Sequence, residues 1–275
     1  FGSPAAPLLG WLHRPAGVAR AVGVVLCPPV GSEYGCSYYL LRVVAERLAR
    51  AGFPVLRFDY QGAGDSSGAD TDPARVRAWR DSIALATDTL KQQAQVTSVS
   101  LLGLRVGALL ACHAAASRPD VASLVSWWGV GSGRKYVRNL RLYGMAATGS
   151  GAPATGEVES GGYVLAAATL DDLARLDPAA EPPAPGTRVL FIQRDDQPLD
   201  EALAAKFTEM GRRAEVWSRG GIEAIGKTPH ESTIPEGLVT ELVAWYDTAH
   251  PETMGVATDR KSTRLNSSHL VISYA

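Results

Sequence analysis

The chain has 275 residues, enough for one sizeable core or a core with a small cap, and its 46 % apolar content is ordinary for a globular protein. A net charge of −1 gives no reason to expect nucleic acid or an anionic membrane as partner, and no apolar run reaches the roughly 20 residues of a bilayer span. Three cysteines, Cys27, Cys36 and Cys112, are odd in number and far apart, which speaks against a disulfide framework and for a reducing, cytoplasmic setting.

In chain order, Leu8–His13 and Val22–Leu26 read as early strands, expected as antiparallel neighbours. Residues 37–51 follow as a helix, with Leu40, Leu41, Val44, Ala45 and Leu48 at helical spacing and Ser37 as its N-cap. Ala51-Gly52 closes it, and Pro54–Phe58 is the next strand. Asp72-Pro73 supplies an N-cap and a first-turn proline for a helix running to about Gln93. Val96–Leu102 is a strand that feeds a Gly103-Leu104-Arg105-Val106-Gly107 turn, then an Ala/Leu-rich helix to about Ser117. Val121–Trp127, Thr187–Gln193 and Ala214–Trp217 are further strands, and Pro235-Glu236 opens a last helix with Leu238, Leu242 and Trp245 on one stripe.

This alternation implies an α/β domain over residues 1–250 with a largely parallel sheet covered by helices. About residues 130–186 the pattern breaks into Gly, Ala, Pro and Thr, with Gly161-Gly162 as a turn between two short strands, so a small cap insertion is expected there. The polar stretch 251–275 has no continuous apolar face and is expected to be disordered. Within it, residues 259–275 (DRKSTRLNSSHLVISYA) resemble a sequencing adapter read in frame and are set aside from fold reasoning. Doing so removes three of the 27 basic and one of the 28 acidic residues and leaves a net charge of −3. No signal peptide is visible, although the chain opens on Phe1 and not on methionine.

A strand, a Gly-x-x-x-Gly turn and a helix are the frame of a nucleophile elbow, G-x-S-x-G, but here the central residue is Arg105. Other landmarks stand in order around it. Cys27-Pro28-Pro29-Val30-Gly31 follows a strand; Phe58-Asp59-Tyr60-Gln61-Gly62-Ala63-Gly64-Asp65-Ser66 has the form of a D-x-R-G-x-G-x-S loop with Gln61 in the arginine's place; Arg194-Asp195-Asp196 follows a later strand; and His230 precedes the last helix. On these residues, and above all on Cys27–Gly68 and Leu101–Ala111, the chain resembles the α/β-hydrolases related to serine-aminopeptidase-like and exosortase-associated hydrolases.

The resemblance implies an α/β-hydrolase fold and hydrolysis of a small ester, thioester or amide. His230 would be the base and Asp196 its orienting acid, in preference to Asp195, with oxyanion-hole backbone at Val30 and Val106. The partner implied is a small acyl molecule; no cofactor and no metal is implied, since neither a zinc-ligand spacing nor a dinucleotide or phosphate-loop motif is present. Arginine keeps its proton at physiological pH and cannot attack a carbonyl. Its charge, at a helix N-terminus that disfavours cations, needs a counter-charge. Either a salt bridge from Glu33, Asp195 or Asp196 supplies it, or Arg105 binds an anionic group of a ligand. Ser32, Cys36 and Ser37 are candidate replacement nucleophiles, with a capping role for Ser37 and a packing role for Cys36 as alternatives. Tyr143, Met145 and Tyr163 are candidates to line an acyl pocket or to pack the insertion; His13 and His113 read as structural. Three functions stay open: a hydrolase with a serine-less site, an inactive binding or scaffolding protein on a degenerate hydrolase fold, and an acyltransferase acting on polysaccharide or lipid precursors.

Overall fold

The computed structural model describes residues 1–15, 17–148, 156–160, 162–196, 201–220 and 231–251, without side chains for 143–148 and 160. A short pairing of β1 (Gly2–Ser3) with β2 (Ala6–Pro7) leads into β3 (Gly10–His13) and β4 (Val22–Cys27). Then come α1 (Ser32–Arg50), β5 (Val55–Phe58), α2 (Arg75–Ala94), β6 (Ser98–Leu104), α3 (Val106–Ala116) and β7 (Val121–Trp127). The chain continues with α4 (Gly133–Thr148), β8 (Val158–Ser160), β9 (Tyr163–Leu165), α5 (Ala167–Ala174), β10 (Arg188–Arg194), α6 (Glu201–Glu209), β11 (Arg213–Arg219) and α7 (Glu236–Ala249).

Seven strands form one sheet in the order β11-β10-β7-β6-β4-β5-β3, parallel throughout except for β3, which runs antiparallel to β5. Alternate residues of each strand point to opposite faces, and each face carries its own core. Val25 and Cys27 of β4 and Leu101 of β6 pack with Trp79, Ile83 and Leu90 of α2 and with α3, apolar except for His113. Val24, Leu26, Leu102, Leu104 and Trp127 pack on the other face with Leu40, Val44 and Leu48 of α1 and Leu242 and Tyr246 of α7. The near-continuous apolar runs of β6 and β7 follow from this two-sided burial.

Several expectations are corrected. β3 and β4 are not neighbours: β4 is paired on both sides in parallel, by β5 and β6, so the antiparallel strand takes the edge beyond β5. α1 starts at Ser32 and not at Ser37, because Gly31, at φ 66° and ψ −146°, makes the turn that lets the helix begin directly after it. Ser37 therefore lies inside α1, and its Oγ donates to the Glu33 carbonyl at 2.9 Å. α2 starts at Arg75, since Ala74 sits in the left-handed region at φ 57° and Asp72 Oδ2 accepts from the Ala69 N–H at 2.8 Å. Pro235 is the N-cap of α7 and not its first helical residue.

Between β7 and β10 lie α4, the antiparallel β8–β9 hairpin and α5. Gly133 must be glycine: a Cβ there would stand 1.7 Å from the Leu173 carbonyl oxygen, because α4 and α5 meet backbone to backbone. The hairpin leans over the turn after β4, with Tyr163 Cβ 3.8 Å from where a Cβ on Gly31 would lie. Among the described residues no helix is long and apolar enough to cross a membrane.

Candidate functional site

In parallel sheets of this kind, ligands are met in the crevice beyond the carboxyl ends of the strands. Four of those ends are populated here. β4 runs into Pro28–Gly31 and the first turn of α1, β6 into Arg105, β7 into Trp128, and β10 into Asp195 and Asp196.

The turn after β6 has the strained geometry of an elbow. Arg105 sits at φ 55° and ψ −125°, a conformation that L-residues avoid unless the surroundings impose it. The imposition is visible at both glycines. A Cβ on Gly103 would stand 2.3 Å from Ala108 Cα, and one on Gly107 would stand 2.3 Å from the carbonyl oxygens of both Cys27 and Pro28. The β6 turn thus sits against the start of its own helix and against the turn that follows β4. Val30 and Val106, the expected oxyanion-hole positions, are both buried in these abutting turns.

Arg105 does not point into open solvent. Its Nε donates to Glu33 Oε1 at 2.8 Å, and its guanidinium lies over the Trp128 ring, 4.4 Å from the centroid. Glu33 Oε2 in turn accepts from Tyr136 Oη of α4 at 3.3 Å, and burial pushes that phenol well above its ordinary pKa, so it acts as a neutral donor. Of the three acids that could pair with Arg105, the structure brings Glu33 to it. Trp128 has a positive φ of 47° and is tied down by its N–H, which donates to the Ile192 carbonyl at 2.6 Å. A second guanidinium, Arg194, lies 5.7 Å from the same indole. Arg194 grips Asp196 through Nε at 2.8 Å and Nη2 at 2.5 Å, and this pairing holds the exposed Asp196 carboxyl below its usual range. Asp196 and Arg105 are therefore connected through the stack Arg194–Trp128–Arg105. Asp195 makes a backbone bond to the Arg219 carbonyl at 3.3 Å, and its carboxylate packs at Gly220.

Of the three candidate nucleophiles, Ser32 is the half-buried first residue of α1, and the other two are weakly placed. Ser37 is 1 % exposed, with its hydroxyl committed to backbone carbonyls. Burial, and then the charge of Glu33, push the Cys36 thiol up, away from the reactive thiolate. Tyr163 is 43 % exposed, which does not fit packing within the insertion. His230 lies outside the described residues, as do the side chains of Tyr143 and Met145 and the stretch 252–275. His13 accepts from Arg57 Nε at 3.1 Å, and buried His113 contacts Glu181 at 2.9 Å, both in structural settings.

The loop after β5 closes on itself around Asp59. This carboxylate takes the Asp65 N–H at 3.0 Å and the Tyr34 hydroxyl, and Ser66 Oγ donates to the Asp59 carbonyl at 2.7 Å. Burial raises the Asp59 pKa, while the hydrogen bonds from Tyr34 and the Asp65 N–H act the other way. Gly64, at φ 55°, leaves room for the carboxylate, since a Cβ there would lie 2.2 Å from Asp59 Oδ2. Among the described residues no group of three His, Cys, Asp or Glu side chains could hold a metal ion.

Sequence reasoning missed Trp128, Tyr136 and Arg194 as partners of the elbow. The one signal available was the Trp127-Trp128-Gly129 run at a strand end, where an aromatic on a turn is hard to account for by packing alone.

Comparison with known proteins agrees with the fold. The sequence profile of the serine aminopeptidase family (Hydrolase_4) matches residues 24–137. A search of curated proteins gave no sequence match. Among solved structures, Est1E from Butyrivibrio proteoclasticus with ferulic acid bound superposes with a TM-score of 0.67 at 19 % identity, over 90 % of this chain and 97 % of that one. The esterase Pf2001 of Pyrococcus furiosus gives 0.61 at 15 % identity, over 88 % of each chain. The α/β-hydrolase GrgF from a Penicillium species gives 0.63 at 14 % identity, over 91 % of this chain and 97 % of that one. The chain has the α/β-hydrolase fold.

Proposed function

We propose that this α/β-hydrolase-fold chain binds a small acyl molecule and does not form a covalent acyl-enzyme at its elbow. The observation that carries this reading is the 2.8 Å ion pair between Arg105 Nε and Glu33 Oε1, stacked on Trp128. It fills the nucleophile's position with a group that has no lone pair to donate, and it pairs that group's charge with a carboxylate of the chain. Among the described residues, hydrogen bonding engages Arg105 through Nε alone, so its two terminal amines are left to meet a ligand. A planar guanidinium edge matches a carboxylate or a phosphate, so an anionic acyl molecule is the class favoured.

The test is chemical. Wild-type protein is treated with a fluorophosphonate and with iodoacetamide, and is offered activated acyl esters. The expected result is no labelled serine, no labelling protected by acyl ligands, and no turnover that depends on His230. Turnover of an activated ester that disappears in His230→Ala would overturn the reading.

A second reading, hydrolysis of a small ester, thioester or amide, is favoured by a different observation. The elbow backbone keeps the φ of 55° and both close-packed glycines of an elbow, although its side chain has changed. In that reading water attacks, His230 is the base, Asp196 orients it and backbone N–H groups near Val30 and Val106 hold the oxyanion. The same ester assay decides between the two.

A further inference from the structure

Away from the elbow, the segment from Tyr60 to Trp79 concentrates unmet polar atoms. Among the described residues eight buried side-chain N or O atoms have no hydrogen-bond partner, and five of them lie here: Tyr60 Oη, Ser67 Oγ, Arg75 Nε, Arg75 Nη1 and Trp79 Nε1. All five can donate. Native proteins leave few such atoms, and a cluster of them asks for an occupant.

Arg75 is the centre of the cluster. It is 2 % exposed, yet among the described residues no carboxylate pairs with it. Nη2 donates to the Gln61 carbonyl, and the guanidinium lies 5.4 Å from the Trp79 ring centroid. The acids whose charge it feels are Asp72 and Asp70, but Asp72 Oδ2 is bonded to the Ala69 N–H. The 60–68 loop is laid directly over the guanidinium: a Cβ on Gly62 would stand 2.1 Å from Nη1. The Gly62 N–H donates to the Ser67 carbonyl at 2.6 Å and closes the loop on itself. The Tyr60 and Trp79 rings are 6.3 Å apart, so Tyr60 packs beside the ring on which the guanidinium lies.

We infer that a small monovalent inorganic anion, of halide size, is bound beneath the 60–68 loop against Arg75. The chemistry selects it. Donors without acceptors cannot hold a metal cation. Water could take some of the hydrogen bonds but adds no charge, and Asp72 and Asp70, neither of them bonded to the guanidinium, offset only part of the cost of burying it. One guanidinium balances one negative charge, and the loop packed onto Nη1 leaves room for nothing larger than a compact ion. The inference does not depend on what the elbow does.

The test uses the whole chain. Thermal unfolding is followed in sodium chloride, sodium bromide and sodium gluconate at equal ionic strength, and in Arg75→Met under the same conditions. Chloride and bromide should raise the wild-type Tm above gluconate by roughly 2–4 °C, and the difference should vanish in Arg75→Met. Crystals of the wild type grown from bromide should show an anomalous peak within hydrogen-bonding contact of Arg75 Nε or Nη1. If Arg75→Met does not fold, the wild-type salt series and the crystal decide the matter. Equal Tm values in the three salts, a water or a carboxylate of the chain at that place, or a bromide peak without any Tm difference (an adventitious ion only) each overturn the inference.

Discussion

The side-chain exposures of Arg105 and Glu33, 15 % and 28 %, put their pair between the weak surface bridge and the costly buried one. The local positive end of α3 disfavours a cation at Arg105, so the carboxylate does more here than it would on open surface. Glu33→Ala removes that carboxylate and leaves Tyr136 Oη and Arg105 Nε without an acceptor. A loss of about 1–3 kcal/mol in urea-derived unfolding free energy is expected, with Glu33→Gln losing less because it still accepts hydrogen bonds. Arg105→Met should cost less than Glu33→Ala, since the carboxylate it leaves unpaired is the more exposed of the two and lies in the first turn of α1, where negative charge is favoured. Equal losses in Glu33→Ala and Glu33→Gln would show that acceptance of hydrogen bonds at this position is immaterial. The need for a counter-charge at Arg105 was legible in the sequence, and Glu33 stood among the candidates. The platform was not: Trp128 reaches the guanidinium through a positive φ that no periodicity announces, and Tyr136 arrives from α4, about 100 residues away in sequence, through tertiary packing.

At the scale of elements, two turns are locked together by the absence of a side chain. Gly107, in the first turn of α3, meets the Cys27 and Pro28 carbonyls, both backbone atoms that cannot swing away. Gly107→Ala should therefore cost more than about 3 kcal/mol or abolish soluble expression, as overpacking against fixed backbone does. Gly237, exposed in the first turn of α7, supplies the contrast, because nothing lies within 4 Å of a Cβ added there. Gly237→Ala should be neutral or stabilise by up to about 1 kcal/mol through helix propensity. Denaturant midpoints of the two variants, measured side by side, check both; a mild Gly107→Ala would mean the abutting turns can separate. The same contrast explains what sequence could supply. Strand β7 has the bounds its apolar run implies, because a strand buried on both faces leaves no ambiguity. Residue preferences alone put the start of α1 five residues late, because Ser37 satisfies those of a cap while the decisive feature is the backbone angle at Gly31. The edge position of β3 was hidden for a third reason: strand order is set by which faces pack together, not by any property local to the strand.

For the whole molecule, the last helix is tied to the middle of the sheet by a buried polar chain. Tyr246 Oη meets Ser100 Oγ at 2.9 Å, Ser123 Oγ donates to Ser100 Oγ at 2.7 Å, and His250 Nε2 lies 2.8 Å from Ser123 Oγ. Arg20 fixes the end of α7 from outside, through the His250 carbonyl at 2.8 Å and Asp247 at 2.6 Å. Burial, then the charges of Arg188 and Arg20, lower the His250 pKa from 6.5 to about 4. The folded protein therefore keeps this imidazole neutral where the unfolded chain protonates it. Above pH 6.5 both states are neutral and the group contributes nothing to the pH dependence. As pH falls from 6.5 towards 4 the unfolded state takes up the proton first, and stability is lost progressively, by about 3 kcal/mol at the acid end. Carboxylates titrate in the same range; Asp120, held near 2 by Arg118 and Lys91, loses its own contribution once pH falls below the ordinary carboxylate range. The measurement is therefore a difference: unfolding free energies of wild type and His250→Gln from pH 8 to pH 4. The wild-type curve should fall more steeply between 6.5 and 4, and the two curves should run parallel above 7. Parallel curves across the whole range would mean that the imidazole is hydrated and titrates normally, and that α7 is not held to β6 and β7 by a neutral histidine.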